Sequence, residues 1–261
     1  MKHLLLLLIP FMASADPFIV AHRGASGDAP ENTLPAFELA WKQEADAIEG
    51  DFHLTADGHV ICNHDKTTKK MAGKNLTIKD SSLSQLQALD LSQVQGRKWA
   101  PLRFPTLSEV LGTVPDRKLI YVEIKSDKTI LPALLKDLSN SGLKDEQIVI
   151  ISFSTDVIRA VKKQAPQYKA MWLSSIKKDD NGNTTPAIPH ILKTLKSINA
   201  DGFSAQGNAL LKSHYVKAIK EAGYSFHVWT VDNPSEAERF AKYGVDSITT
   251  NYPRRIRDTL K

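Results

Sequence analysis

The chain has 261 residues, of which 42% are hydrophobic and 24% charged, with a formal charge of +5 and a pI near 9.1. That length suits one large α/β domain or two small ones, and the composition is that of an ordinary globular protein. The basic residues are scattered without aromatic interleaving, which argues against a nucleic-acid partner, while the modest positive balance favours an anionic substrate.

Residues 1–15 read as a secretory signal peptide. Lys2 and His3 precede the apolar run Leu4–Ile9 and Phe11-Met12, and Ala13-Ser14-Ala15 supplies a small-residue cleavage site before Asp16. The run falls well short of the ~20 residues that span a bilayer. The expectation is an exported protein, periplasmic or secreted, with no stable membrane insertion after cleavage. Of the counted charges only Lys2 is lost, so the mature charge drops from +5 to +4. The single cysteine, Cys62, cannot form an internal disulfide and lies in an apolar run, which marks it as a packing residue.

Strand-like and helix-like segments then alternate. Phe18–Ala21 is a short apolar strand, followed by a helix over Thr33–Trp41 with Pro35 in its first turn. Ala45–Leu54 and Gly58–Asn63 are strands joined by the tight-turn pair Asp57-Gly58. The polar segment 66–113 breaks the rhythm and reads as an insertion carrying short helices near 84–89 and 107–111. Further strands are expected at 119–124, 147–152, 168–173, 200–204, 224–231 and 245–249. Helices are expected at 130–138, 155–164, 210–222 and 235–243, and a polar loop at 179–183. Apolar strands alternating with amphipathic helices predict parallel β, and about eight such units predict an α/β (β/α)8 TIM barrel with a small inserted subdomain after an early strand. The mature chain, 16–261, is then a single domain. An open doubly wound sheet is the alternative, weakened because no Gly-x-Gly-x-x-Gly follows any strand.

In such a barrel the active site lies at the carboxyl ends of the strands. His22 and Arg23 end the first strand. Glu49 and Asp51 share one face of the second by their i, i+2 spacing, and Glu123 and Lys125 repeat that spacing on the third. His64 and Asp65 end the hairpin strand, and Trp229 lies late on the seventh. Three carboxylates without cysteine suit one hard divalent cation, Mg2+ or Ca2+. Arg23 and Lys125 suit the non-bridging oxygens of a phosphate, Trp229 suits a pocket wall, and His22 and His64 suit a general base and acid. Glu31 is either a partner for Arg23 or a helix N-terminal charge. His53 and His227 are weaker candidates, and His59, His190 and His214 read as surface.

The run His22-Arg23-Gly24-Ala25-Ser26-Gly27-Asp28-Ala29-Pro30-Glu31-Asn32-Thr33 resembles the opening signature of the glycerophosphodiester phosphodiesterases. So do Glu49-x-Asp51 with Thr55-x-Asp57-Gly58, His64-Asp65, Pro105–Glu109, Glu123-x-Lys125, Val228-Trp229-Thr230 and Thr250-Asn251-Tyr252-Pro253. The resemblance spans essentially the whole mature chain. It implies a barrel with a small inserted subdomain and a divalent metal on Glu49, Asp51 and Glu123. It also implies a His22/His64 acid–base pair that hydrolyses a small glycerophosphodiester to glycerol 3-phosphate and an alcohol, through a cyclic phosphate or by direct attack of water. Where many members carry a leucine and an Arg-Thr-Thr run after His-Asp, this chain has Lys66-Thr67-Thr68-Lys69-Lys70-Met71, a departure that bears on the alcohol side of the pocket.

Two other functions use the same layout. Phospholipase D-like cleavage of sphingomyelin or lysophospholipids occurs on a similar barrel, but with disulfides and an aspartate where Glu123 stands. An exported barrel that binds phosphodiesters without turnover would be expected to have lost a histidine or a metal ligand, and this chain keeps all five. The sequence leaves the head group, the choice of cation and the oligomeric state open.

Overall fold

The computed structural model describes residues 16–261, so the expected signal peptide lies outside the described residues. Nine strands form one sheet: β1 (Phe18–His22), β2 (Ala47–Leu54), β3 (Val60–Cys62), β4 (Leu119–Ile124), β5 (Ile148–Ser152) and β6 (Lys169–Ser174), then β9 (Gly202–Gln206), β10 (Ser225–Trp229) and β11 (Ser247–Thr250). Between β6 and β9 the short β7 (Lys177–Lys178) and β8 (Thr184–Thr185) form a separate hairpin, and the polar loop expected at 179–183 is its turn.

The sheet closes because β1 pairs in parallel with both β11 and β2. This closure selects the barrel over the open sheet. Eight strands make the parallel barrel, and β3 lies antiparallel on the outer end of β2, with Phe52 opposite Cys62.

One helix follows each barrel strand: Leu34–Lys42, Leu107–Leu111, Leu131–Asn140, Thr155–Gln164, Ile188–Ile198, Ser213–Glu221, Pro234–Lys242 and Pro253–Leu260. Their starts have identifiable causes. Thr106 and Glu109 form a reciprocal capping box, and Asn233 caps a helix that has Pro234 in its first turn. Alternation along the strands then builds two layers. Outward residues such as Ile19, Ile48, Phe52, Ile120, Val122 and Phe226 pack against the helices, whereas Val20, Ala47, Tyr121, Val149, Ile151, Met171 and Leu173 fill the inside of the barrel.

The segment expected as an insertion over 66–113 divides in two. Leu107, Val110 and Leu111 belong to the core between barrel and helices, so that helix is the barrel's second. The residues before it form a subdomain with its own core of Ile61, Met71, Ile78, Leu86, Leu91, Leu102 and Phe104. Strand β3 serves both cores, because Val60 and Cys62 face the barrel while Ile61 faces the subdomain.

Candidate active site

Strand register assembles the site before any side-chain contact is considered. His22 lies opposite Glu49 on neighbouring strands, and Asp51 lies opposite Glu123, all at the carboxyl end of the barrel. The turn after β1 is specified by Gly24. Its φ is +78°, and a Cβ there would meet the Ala36 backbone at 2.5 Å. Within that turn the Arg23 backbone N–H donates to Glu49 Oε2 at 3.0 Å.

Glu49, Asp51 and Glu123 are buried, and one oxygen from each lies within 4.8 Å of the others. Two cations meet them: Arg23 Nε is 3.1 Å from Asp51 Oδ2, and Lys125 Nζ is 2.8 Å from Glu123 Oε1 and 3.4 Å from Asp51 Oδ1. The Asn32 side-chain amide donates to Asp51 at 2.9 Å, and its carbonyl oxygen accepts from the Cys62 thiol at 3.1 Å. Cys62 is therefore a buried packing residue, as its apolar neighbours suggest.

The protonation preferences of the three acids diverge. Burial pushes Asp51 up, but Arg23 and Lys125 outweigh it and hold its carboxyl below the ordinary value. Burial, reinforced by the neighbouring carboxylates, drives Glu49 well above the usual range, and burial followed by Asp51 lifts Glu123 to about 7. Glu49 Oε1 is buried without a hydrogen-bond partner. Three carboxylates against two cations, with one orphaned oxygen in an all-oxygen set, fit a hard divalent cation. These residues form a possible metal site.

Each histidine is oriented through Nδ1. Asn251 Nδ2 donates to Asp232 Oδ2 at 2.6 Å, which turns the Asn251 Oδ1 toward His22 Nδ1 at 2.7 Å. That oxygen can only accept, so His22 carries its proton on Nδ1 and its Nε2 lone pair is free. Burial, and then the Arg23 charge, lowers the His22 pKa to about 4, so the ring is neutral at ordinary pH. His64 Nδ1 is 2.8 Å from Asp65 Oδ1, a contact that holds the ring by that nitrogen and leaves Nε2 for the pocket.

The sequence-expected residues gather at one mouth. His22, Glu49, Glu123 and Trp229 line a common void together with Ile151, Leu173, His227 and Thr249. Lys125 reaches the acids from one side, and Glu31 holds Arg23 at 3.2 Å. His53 Nε2 donates to the His64 backbone carbonyl oxygen at 3.2 Å. His227 stacks on Tyr121 inside the barrel with its Nε2 2.7 Å from Thr249 Oγ1. Asn251 and Asp232 carry no role in the sequence reading. The Thr250–Pro253 run was the available signal, but nothing local tied it to a histidine 229 positions away.

A buried acidic trio at the top of a (β/α)8 barrel, flanked by two oriented histidines and two cations, defines a phosphoric diester hydrolase type of site. Comparison with known proteins agrees. The sequence profile of the "Glycerophosphoryl diester phosphodiesterase family" matches residues 22–255, and the chain belongs to that family. A protein of Caldanaerobacter subterraneus subsp. tengcongensis named "Glycerophosphodiester phosphodiesterase" is 33% identical over 242 residues, covering 91% of this chain and 95% of that protein. A Bacillus subtilis protein of the same name is 31% identical, over 90% of this chain and 83% of its own. Among solved structures, an Oleispira antarctica phosphodiesterase in complex with the product sn-glycerol-3-phosphate superposes with a TM-score of 0.83 at 24% identity, covering 94% of this chain and 96% of that one. At that identity the likeness speaks for the fold.

Proposed function

We propose that this protein hydrolyses glycerophosphodiesters to glycerol 3-phosphate and an alcohol, using a divalent cation, Mg2+ or Ca2+, on Glu49, Asp51 and Glu123 and proton transfer between His22 and His64. The observation that carries the reading is the buried acidic trio flanked by two histidines, each anchored through Nδ1 and each with Nε2 left for chemistry. Family membership and the names of the relatives support the substrate class.

When bound, the cation would neutralise phosphate charge and stabilise the charge that develops in the transition state. His22, neutral and with a free Nε2, takes the proton from the attacking oxygen, which is either the glycerol 2-hydroxyl or water. His64, held through Nδ1 by Asp65, gives a proton to the departing alcohol oxygen. If a cyclic phosphate forms, the two rings exchange roles as water opens it. Arg23 and Lys125 use part of their donor capacity to order Asp51 and Glu123, and their remaining N–H groups suit the non-bridging oxygens. Trp229, set edge-on against Phe153 with ring centroids 5.4 Å apart, forms an apolar wall for the glycerol carbons.

The test is glycerol 3-phosphate release from several glycerophosphodiesters, first in EDTA and then with Mg2+ or Ca2+ restored. Metal-restored release is expected, and His22→Ala and His64→Ala should each lower kcat by at least about 10²-fold in a folded protein. Full activity in either variant would overturn the acid–base assignment. The signal-like sequence of residues 1–15 separately supports the proposal that the protein is exported and cleaved, and N-terminal sequencing of the exported protein should then begin at Asp16. No helix among the described residues is long and apolar enough to cross a membrane.

A further inference from the structure

A cavity of about 610 Å³ opens beside the acidic trio, between β2, the loop after β4 and the inserted subdomain. The void shared by His22, Glu49, Glu123 and Trp229 measures only about 20 Å³, so a head group larger than a few atoms has its room in the neighbouring cavity. Two residues join the cavity to the site. Lys125 lines it while its ammonium group touches Glu123 and Asp51, and His53 lines it while its ring holds the His64 carbonyl. The cavity thus adjoins both the acids and the segment that carries His64.

The wall is rich in donors. Lys66 and Lys79 both line it, and they are held together because the Ile78 N–H donates to the Lys66 carbonyl at 3.0 Å and Thr67 bridges Thr77. Lys70 and Lys125 are ion-paired, whereas neither Lys66 nor Lys79 lies within ion-pair distance of a carboxylate among the described residues. Ser126 Oγ accepts from the Leu54 N–H at 3.0 Å, so its own proton is available to the cavity. The one acid on the wall, Asp127, is turned onto the Thr129 backbone N–H at 2.8 Å and the Thr129 hydroxyl at 2.5 Å. The surroundings reinforce this polarity. Residues 66–104 carry eight lysines and arginines, all exposed, against two aspartates, a surplus of six compared with +5 for the entire chain.

We infer that this cavity is the subsite for the alcohol half of the substrate, and that Lys66 and Lys79 select an anionic, polyhydroxylated head group, a phosphorylated polyol, over a cationic one. The inference rests on the phosphodiesterase reading above and adds the head-group class.

The test compares kcat/KM for glycerophosphocholine, glycerophosphoinositol and glycerophosphoinositol 4-phosphate, together with calorimetric binding of inositol 4-phosphate to the metal-loaded protein. The phosphorylated substrate should exceed the choline ester by about tenfold, and Lys66→Gln/Lys79→Gln should cut both that ratio and the affinity for inositol 4-phosphate by a similar factor. Both lysines are exposed, and a circular dichroism melt checks that the variant is folded. A choline ester turned over as well as the phosphorylated one, or a ratio and affinity indifferent to the double substitution, overturns the subsite while leaving the hydrolase intact. Absence of all turnover, with lysine-dependent binding of inositol 4-phosphate retained, overturns the hydrolase reading and upholds the subsite.

Discussion

At the scale of single residues, the orientation of His22 depends on an amide that is itself oriented. Asp232 receives the Asn251 side-chain and backbone N–H groups at 2.6 and 2.7 Å, and this fixes which end of the amide meets the ring. Replacing Asp232 by Asn removes that discrimination and allows the amide to turn its NH2 toward His22 Nδ1. Steady-state kinetics of Asp232→Asn should show kcat lower by about 10- to 100-fold with a small change in KM. A large KM effect at constant kcat would show instead that Asp232 serves substrate binding. His227 presents a second residue-scale case. Burial, and secondarily the His22 ring, lowers its pKa from 6.5 to about 3. The unfolded chain thus takes up a proton below pH 6.5 that the folded chain refuses until about pH 3, so stability is complete above 6.5 and is lost as pH falls through that window. Denaturant unfolding of His227→Gln should show a shallower acid decline, by an amount on the order of a few kcal/mol at pH 4. An unchanged slope would assign acid sensitivity to other groups.

At the scale of elements, β3 and the inserted subdomain hold His64 in place from outside the barrel. Phe104 is buried in the subdomain core with Ile61, which lies on β3, three positions before His64. Phe104→Ala should cost about 3–5 kcal/mol within the subdomain, seen as loss of amide protection in residues 66–104 while the strands of the barrel stay protected. Equal loss throughout would mean that barrel and subdomain unfold together. This division was only half visible in the sequence. Strands with long apolar runs, such as Leu119–Ile124 and Ile148–Ser152, were legible because both faces are buried and their polar residues, Glu123 and Ser152, fall only at the carboxyl ends. Leu107–Leu111 was legible as a helix but not as part of the barrel, since its membership is decided by what its Leu107, Val110 and Leu111 touch. The helix Ile188–Ile198 was within reach, with Ile188, Ile191, Leu195 and Ile198 on one stripe, whereas the helix Pro253–Leu260 is so polar that only its packing reveals it. The acidic trio and both histidines were legible from strand-end position and spacing. Asn251 and Asp232 were not, because their partner is reached only through closure of the barrel.

At the scale of the whole molecule, charge balance couples metal, protons and stability. Without a cation, burial and the neighbouring acids make Glu49 and Glu123 hold protons more strongly than free carboxyls do. Binding of a divalent ion should therefore release protons, and the number released should fall as pH rises above about 7, where Glu123 is already ionised. Calorimetry in two buffers of different ionisation enthalpy measures this directly. Proton release that does not change between pH 6 and 8.5 would remove Glu123 from the ligand set. The same ion should raise Tm, with stabilisation of about 2.7 kcal/mol at a hundredfold excess over Kd, and chelation should reverse it.

The seam between β1 and β11 also has a meaning in time. His22 is synthesised 229 residues before Asn251, whose oxygen orients it, and only the pairing of Phe18–Ala21 with Ser247–Thr250 brings them together. Ser26 is tied to the same oxygen at 2.7 Å, and Arg257, in the terminal helix, grips Asp46 at the start of β2. Until β11 is made, the His22 ring is unoriented and β1 is unpaired on one side. A chain extended only to residue 246 should therefore leave the His22 ring without its amide partner, and orientation of that ring waits on closure of the barrel.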